Sequence, residues 1–455
     1  MPMQSINPLT NEVIREFEEY SDAQIEEVLQ KSDSTYYQWR KTGFEERSQL
    51  MHKAAEVLRA NKEKYAQTMT DEMGKTQKEA VAEVEKCALC CDYYAEHAAQ
   101  FLADEPLKID QDEAYIAYDP IGAVLAVMPW NFPFWQVIRF AAPNLMAGNV
   151  GLLKHASNVP QCAMALEEVF REAGFPEGCF QSLLISSKKV DGLLGDRRIR
   201  AATLTGSEVA GSKVAAKAGQ ELKKTVLELG GSDPFIVLAD ADLQKAATTA
   251  VKARMLNCGQ SCIAAKRFIV VEEVYDQFMD IFVKTMSELK QGDPNEDGVD
   301  YGPMAREDLA DQLLEQTQKS VDQGAEVLLG GDRPDKQGAF FNATILGNVK
   351  PGMPAYDEEL FGPVASVFKV KDEEEAILIA NDSPYGLGGC VWTQDIEKGK
   401  RMVRQVESGA VYINKMTASH PALPFGGVKL SGYGRELSHL GIREFVNQKT
   451  VWLER

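Results

Sequence analysis

Cys262 closes the run Cys258-Gly259-Gln260-Ser261-Cys262, and 34 residues earlier Glu228 opens Glu228-Leu229-Gly230-Gly231. A thiol on a Gly-Gln-Ser turn can be presented as a nucleophile. A carboxylate followed by two glycines has a backbone free to swing. Together they suit covalent catalysis followed by hydrolysis. Each alone also has a plainer reading: a free Cys usually packs as a small hydrophobe, and a Glu can simply end a strand.

The elements that must position this pair belong to a chain of 455 residues, which the size prior divides into two or three domains. Hydrophobic content of 44%, charged content of 26% and 35 glycines describe an ordinary globular chain. The N-terminus Met1-Pro2-Met3-Gln4 shows no secretion signal, and no apolar run is long enough for a membrane span, so the expected compartment is the cytoplasm. A formal charge of −19 argues against nucleic acid or an anionic membrane as partner. An anionic substrate would need a local cation. The eight cysteines read as reduced thiols. Cys87 and Cys90, spaced like a metal pair, are better explained by packing inside a helix, and no metal site is expected.

The first hundred residues read as helices after an extended start at 7–14: one opened by Ser21-Asp22, one over 45–60 and one over 76–101. From Ile121 the pattern changes to short apolar runs alternating with helices, at 123–128, 150–154, 180–185, 201–204 and 225–229. That is the signature of a parallel sheet with right-handed crossovers, a doubly wound α/β domain. A second alternation runs through 235–238, 267–271, 326–329, 364–370 and 388–392. Extended segments at 107–119 and 448–453 fit neither sheet. They would complete an oligomer interface by strand addition, or pack as a plain hairpin on their own domain.

Four further signatures accompany the Cys and Glu in order: Pro129-Trp130-Asn131-Phe132-Pro133, Leu204-Thr205-Gly206-Ser207, Glu359-Leu360-Phe361-Gly362-Pro363 and Pro424-Phe425-Gly426-Gly427. With these six ordered motifs the chain closely resembles the NAD(P)-dependent aldehyde dehydrogenase superfamily over nearly its whole length. The resemblance implies an α/β fold of two doubly wound domains plus a small β oligomerisation extension. It implies a cofactor-binding domain at 1–106 and 120–229, a catalytic domain at 230–424, oligomerisation segments at 107–119 and 425–455, and a homodimer or homotetramer.

It also implies roles. Cys262 attacks the aldehyde to give a thiohemiacetal, hydride passes to the nicotinamide, and water hydrolyses the thioester. Attack demands thiolate character, favoured by partial exposure and a polar or cationic surrounding. The Asn131 side-chain N–H joins the Cys262 backbone N–H as an oxyanion hole; a helix cap before Pro133 is its other reading. Glu228 matches the base that activates the deacylating water, its pKa raised in a dry pocket. Relatives that hand the acyl group to coenzyme A typically lack this Glu, so the free acid is the expected product.

For the cofactor, Gly206-Ser207 leads into a helix whose N-terminus can hold a pyrophosphate. Glu359 and Phe361 match positions at the nicotinamide, and Trp130 lines the same cleft. Family members that prefer NAD commonly carry a Glu where this chain has Ser157. A serine there, with Lys154 nearby, points to NADP over NAD; the alternative is that Ser157 only makes a turn before Pro160.

Substrate class rests on Arg139, which with Trp135 would share one face of a helix starting at Pro133. Succinate-semialdehyde dehydrogenases resemble this chain in an Arg eight residues after the Asn that grips a distal carboxylate; a surface Arg in a salt bridge is the alternative. Ser419 is the expected second carboxylate ligand. Two departures stand out: Leu256 occupies the position of another Arg found in some members, and Ala264 that of a redox-partner Cys. The reading is NADP-preferring oxidation of succinate semialdehyde to succinate. Its rivals are a dehydrogenase of another short-chain aldehyde, such as glutarate semialdehyde, and a non-catalytic protein reusing the fold.

Overall fold

The computed structural model describes residues 3–109 and 112–454; residues 1, 2, 110, 111 and 455, which fall within the expected cofactor-binding and oligomerisation segments, lie outside the described residues. The expected extended start at 7–14 is instead the turn of a hairpin, β1 (Met3–Ile6) and β2 (Val13–Phe17). Asn7 accepts from the Leu9 N–H and Asn11 takes φ 60°, as a short polar side chain permits.

Helix α1 (Asp22–Trp39) starts on a capping box formed by Ser21 and Gln24. Then come α2 (Phe44–Ala60), α3 (Lys62–Met73), which the sequence pattern had not separated, and α4 (Gln77–Phe101), capped by Thr76. Cys87, Cys90 and Cys91 all lie fully inside the core on α4. Burial pushes all three thiols up, the behaviour of packing groups. The same helix buries Glu83, which contacts Lys75 and accepts the N–H groups of Phe134 and Trp135, each at 2.9 Å. Those are the first donors of α5 (Trp135–Met146), so a carboxylate on α4 fixes where α5 begins.

Strands β3 (Glu105–Ile109) and β4 (Asp112–Pro120) precede the first sheet, which is built from β5 (Ala123–Met128), β6 (Val150–His155), β7 (Phe180–Ser182), β8 (Ile199–Thr205) and β9 (Lys224–Glu228). Its parallel order is β9-β8-β5-β6-β7, with the reversal between β5 and β8. In open α/β sheets ligands bind beyond the carboxyl ends of the strands at that reversal. The crossovers are α5, α6 (Pro160–Glu172), α7 (Val190–Gly195) and α8 (Glu208–Gln220).

The second sheet begins with β10 (Asp233–Val237), α9 (Leu243–Met255) and β11 (Ala265–Val271). It is completed by β12 (Glu326–Leu329), β13 (Thr344–Gly347), β14 (Val364–Val370), β16 (Gly388–Trp392) and β17 (Ala410–Ile413), with β15 (Tyr385–Gly386) lying outside it. Its order is β12-β13-β14-β11-β10-β16-β17, parallel except for the outer β12. β13 and the half-buried β17, four residues each, were not picked out in the sequence. Each sheet has its own core, the second centred on Phe235 stacked on Trp392 and packed against Phe268.

The two leftover extended segments pair with each other: β20 (Val446–Leu453) lies antiparallel to β4, which pairs with β3. Residues 425–445, expected with that extension, are spent elsewhere. β18 (Val428–Lys429) pairs with β15, β19 (Gly432–Tyr433) adds to β9, and Phe425, Leu437, Ile442 and Phe445 join the first core. Among the described residues no helix is long and apolar enough to cross a membrane.

Because Lys75 is the counter-charge of a buried carboxylate, Lys75→Met is expected to destabilise the fold by about 3–5 kcal/mol. Urea unfolding measures this, and an unchanged midpoint would refute the role given to the pair.

Candidate active site

Cys262 follows an irregular turn between α9 and β11. Asn257 (φ 56°), Cys258 (φ 53°) and Gly259 (φ 72°) are consecutive left-handed residues. The first two are not glycines, so the conformation costs roughly 1–2 kcal/mol at each and must be held from outside. It is. The Asn257 N–H donates to Glu79 at 2.9 Å, and its amide donates to the backbone carbonyls of Asn131 (2.7 Å) and Gln260 (3.2 Å). Arg254 donates to the Gly259 carbonyl at 2.5 Å, and Lys266 to the carbonyls of Ser261 (2.7 Å) and Cys262 (2.9 Å). A side chain at Gly259 would strike the Gly362 backbone. Glu79 and Asn131 come from distant segments, whereas Arg254, Gln260 and Lys266 belong to the turn and its flanks.

The half-buried Cys262 borders two cavities. The larger, about 570 Å³, lies beyond β5 and β8 at the reversal of the first sheet and is lined by Trp130, Asn131, Gly206, Ser207, Glu359 and Phe361, among others. The smaller, about 90 Å³, is lined by Lys86, Trp135, Arg139, Leu256, Ser419 and Phe425, among others. Cys262 and Gln136 belong to both walls. The Cys262 thiol is therefore reachable from two chambers.

Asn131 lies three residues beyond the end of β5. Its amide donates to the Gln260 carbonyl at 3.0 Å and its carbonyl accepts from Gln136 at 2.9 Å, which leaves one N–H uncommitted. It does not cap α5, whose N-cap residue is Phe134. Ser207 does cap α8, accepting the Ala210 N–H at 3.3 Å, so the earlier N–H groups of α8 open towards the larger cavity. Glu359 accepts the Gly231 N–H at 3.1 Å and pairs with Lys266 at 3.1 Å, while Phe361 meets Trp130 edge-on at 5.8 Å.

Two electrostatic expectations change. Arg139 and Lys266 do pull the Cys262 thiol down, but burial outweighs them and pushes it up to about 12. Cys262 rests as a thiol. Glu228 does not swing on its glycines: its backbone lies in the ladder between Thr205 and Gly432, and the Gly206 N–H donates to its carbonyl at 3.0 Å. Gly230 and Gly231 are there for close approach, since a Cβ would lie 2.7 Å from a Glu359 oxygen and 2.5 Å from the Cys262 carbonyl respectively. Mobility of Glu228 is left to its side-chain rotamers. Its carboxyl is buried without a hydrogen-bond partner, facing Gly426 rather than either cavity. Burial and the neighbouring Glu436 push it well above the usual carboxylate range, with Arg139 and Arg435 opposing.

Arg139 is neither exposed nor free. Its Nε contacts the buried Glu436, a second guanidinium nitrogen reaches Thr205 at 3.2 Å, and the group lies over the Phe425 ring at 4.8 Å. Trp135 and Ser419 line the same chamber. Glu436, Lys86 and Lys266 were missed; Glu436 alone had a sequence cue, lying nine residues after Gly427 in a conspicuously glycine-rich stretch.

Lys154 and Ser157 line a separate cavity of about 460 Å³ with Asn158, Ser186, Ser187, Arg306, Glu19 and Asp308. Asn158 has both ends of its amide buried and unpartnered. Arg306 is held by Asp308 at 2.6 Å. Glu19 brings to this wall a carboxylate that the Ser157 argument had not counted.

A family model, the aldehyde dehydrogenase family, matches residues 1–451. The chain belongs to the aldehyde dehydrogenase family. It is 51% identical over 453 residues to the probable succinate-semialdehyde dehydrogenase (NADP(+)) of Synechocystis sp., covering 100% of both chains. It is 52% identical over 457 aligned positions to the succinate-semialdehyde dehydrogenase (NADP(+)) of Mycobacterium avium, covering 100% of this chain and 97% of the other. Among solved structures it superposes at a TM-score of 0.98, with 42% identity and 100% of both chains covered, on succinic semialdehyde dehydrogenase from Streptococcus pyogenes in complex with NADP+.

In this aldehyde dehydrogenase, folding raises the Glu228 pKa above its unfolded value. The stability this contributes is complete below the unfolded value of about 4.3 and is lost as pH rises through the folded one. Glu228→Gln is therefore expected to be more stable than the parent at neutral and alkaline pH and to lose less stability as pH rises. Urea midpoints across pH measure this; parallel pH profiles would show that Glu228 is not buried as a protonated acid.

Proposed function

We propose that this aldehyde dehydrogenase oxidises succinate semialdehyde to succinate with NADP in preference to NAD. The observation that carries the reading is the position of Cys262 on the walls of two chambers, one at the sheet reversal and one short and cationic. NADP, when bound, supplies the hydride acceptor. The larger cavity fits it: the open N-terminus of α8 suits a pyrophosphate, and the aromatic pair Trp130 and Phe361 with Glu359 suits the nicotinamide end. The orphaned Asn158 amide, with Ser157 and Lys154, suits the phosphorylated ribose.

The chain's own residues then divide the work. Cys262, its thiol proton released to water in the cavity, bonds the aldehyde carbon through sulfur, and the uncommitted Asn131 N–H together with the Cys262 backbone N–H holds the resulting oxyanion. After hydride loss the acyl group remains as a thioester on Cys262. Glu228, rotated from its resting pocket, takes a proton from the water that cleaves it. Arg139, Trp135 and Ser419 receive the distal end of the substrate. A chamber of about 90 Å³ suits a short chain.

In the same reading, residues 1–106 and 120–229 form the cofactor-binding unit and 230–424 the catalytic one. The β3-β4-β20 sheet, supported by its separation from both larger sheets and by the exposed residues along β3 and β20, joins subunits into a homodimer or homotetramer working in the cytoplasm.

Steady-state assays with succinate semialdehyde and butanal, each with NADP and NAD, test the proposal. The expected kcat/KM advantage is at least about tenfold for the carboxylate-bearing aldehyde and for NADP, each about 1.4 kcal/mol of transition-state binding. Equal values would overturn the corresponding half. Ser157→Glu is expected to shift the cofactor ratio towards NAD by about tenfold or more; an unmoved ratio leaves Ser157 a turn residue. Cys262→Ala is expected to abolish turnover of every aldehyde.

A further inference from the structure

The smaller chamber holds two cations, and their situations differ. Arg139 is compensated by the buried Glu436. Lys86 has no carboxylate within ion-pair distance among the described residues. Glu83, one turn before it on α4, is already committed to Lys75 and to the start of α5. The Lys86 ammonium donates to the Ser419 hydroxyl at 2.7 Å and sits 4.0 Å from the centre of the Trp135 ring. An ammonium has three donors, so hydrogen-bonding capacity remains. Ser419, accepting from Lys86, is left free to donate its own proton. The Trp135 indole N–H is buried with no partner. The remaining wall, including Phe132, Leu256, Ile263 and Met416, is apolar.

We infer that Lys86 is a further specificity-determining cation of this enzyme: it binds the carboxylate at the far end of the aldehyde, with Ser419 and Trp135 as its companion donors, beside an Arg139 whose charge Glu436 partly offsets. The inference rests on the proposed substrate having a terminal carboxylate. An anion entering a dry chamber gains most from the charge not already neutralised. The charge of Arg139 is partly offset by Glu436; Lys86 offers a whole one.

The titration of Lys86 follows from the same surroundings. Facing it are Glu83, Cys87 and Cys90 on its own helix, Arg139 on α5, and Cys262 across the chamber. Burial and then Arg139 hold it down at about 8. Above that pH the free enzyme loses the cation. The preference for a carboxylate-bearing aldehyde is therefore expected to fall as pH rises through about 8, whereas groups serving both kinds of aldehyde cancel in the ratio.

The test compares kcat/KM for succinate semialdehyde with that for butanal, in the parent, Lys86→Met and Lys86→Arg. The parent ratio is expected to be large at neutral pH and to fall on the alkaline side. Lys86→Met is expected to lower it by about 30-fold or more, the lower end of what losing one partner of a buried charge pair costs, with the loss in the KM for succinate semialdehyde. Lys86→Arg is expected to restore most of the ratio and remove its alkaline fall. A parent ratio near one overturns the terminal-carboxylate reading itself. A large parent ratio that survives Lys86→Met overturns the assignment to Lys86 alone. If Lys86→Met does not fold, the parent's pH profile decides: a ratio flat through about pH 8 overturns the assignment.

Discussion

The structure turns on a reciprocal amide contact. Asn131, on the loop after β5, donates to the Gln260 carbonyl, and Asn257, in the turn before Cys262, donates back to the Asn131 carbonyl. This joins the edge of the first sheet's cleft to the nucleophile loop of the second sheet. With it in place, Cys262 faces a chamber on either side. Without it, two consecutive left-handed non-glycine residues would have little reason to persist, since their strain is local and their restraints are not.

Around that joint the protein concentrates charge where water is scarce. Glu228, Glu436 and Arg139 form one buried set with two potential negative charges against one positive; Arg139 pairs with Glu436, and desolvation together with Glu436 pushes Glu228 well above the usual carboxylate range. With its pKa raised and its carboxyl parked away from both cavities, Glu228 would have to turn and give up its proton before serving as the base proposed for it. The same economy holds for Cys262, kept as a thiol although Arg139 and Lys266 lie near. Reactivity is held back in the resting enzyme by burial.

Much of the fold was legible because apolar runs and caps are local signals. Ser21 with Gln24, and Thr76, mark helix starts by their own side chains. The strands of the first sheet announce themselves because both their faces are covered. What escaped had weak local signal or distant partners: α3 ran on from α2 with only Asn61 between, and β13 and β17 are short. The two extended segments gave no hint of each other, lying more than 300 residues apart until β4 and β20 align. Gly230 and Gly231 invited a reading as hinges, since glycine's freedom is written in its chemistry, whereas its use for close approach depends on what comes near.

By itself the sequence determined the chemistry. Cys262, Glu228 and Asn131, in ordered glycine- or proline-framed motifs, bring a thiol, a carboxyl and an amide, and those identities do not depend on conformation. Tertiary structure decided what each group's charge would be and whom it would serve. Arg139 became the partner of Glu436, and Lys86, from a helix that looked merely structural, met Ser419 across 333 positions of chain. The reason is physical: ionisation and specificity depend on desolvation and on distances between groups, and both are set only when remote segments pack together.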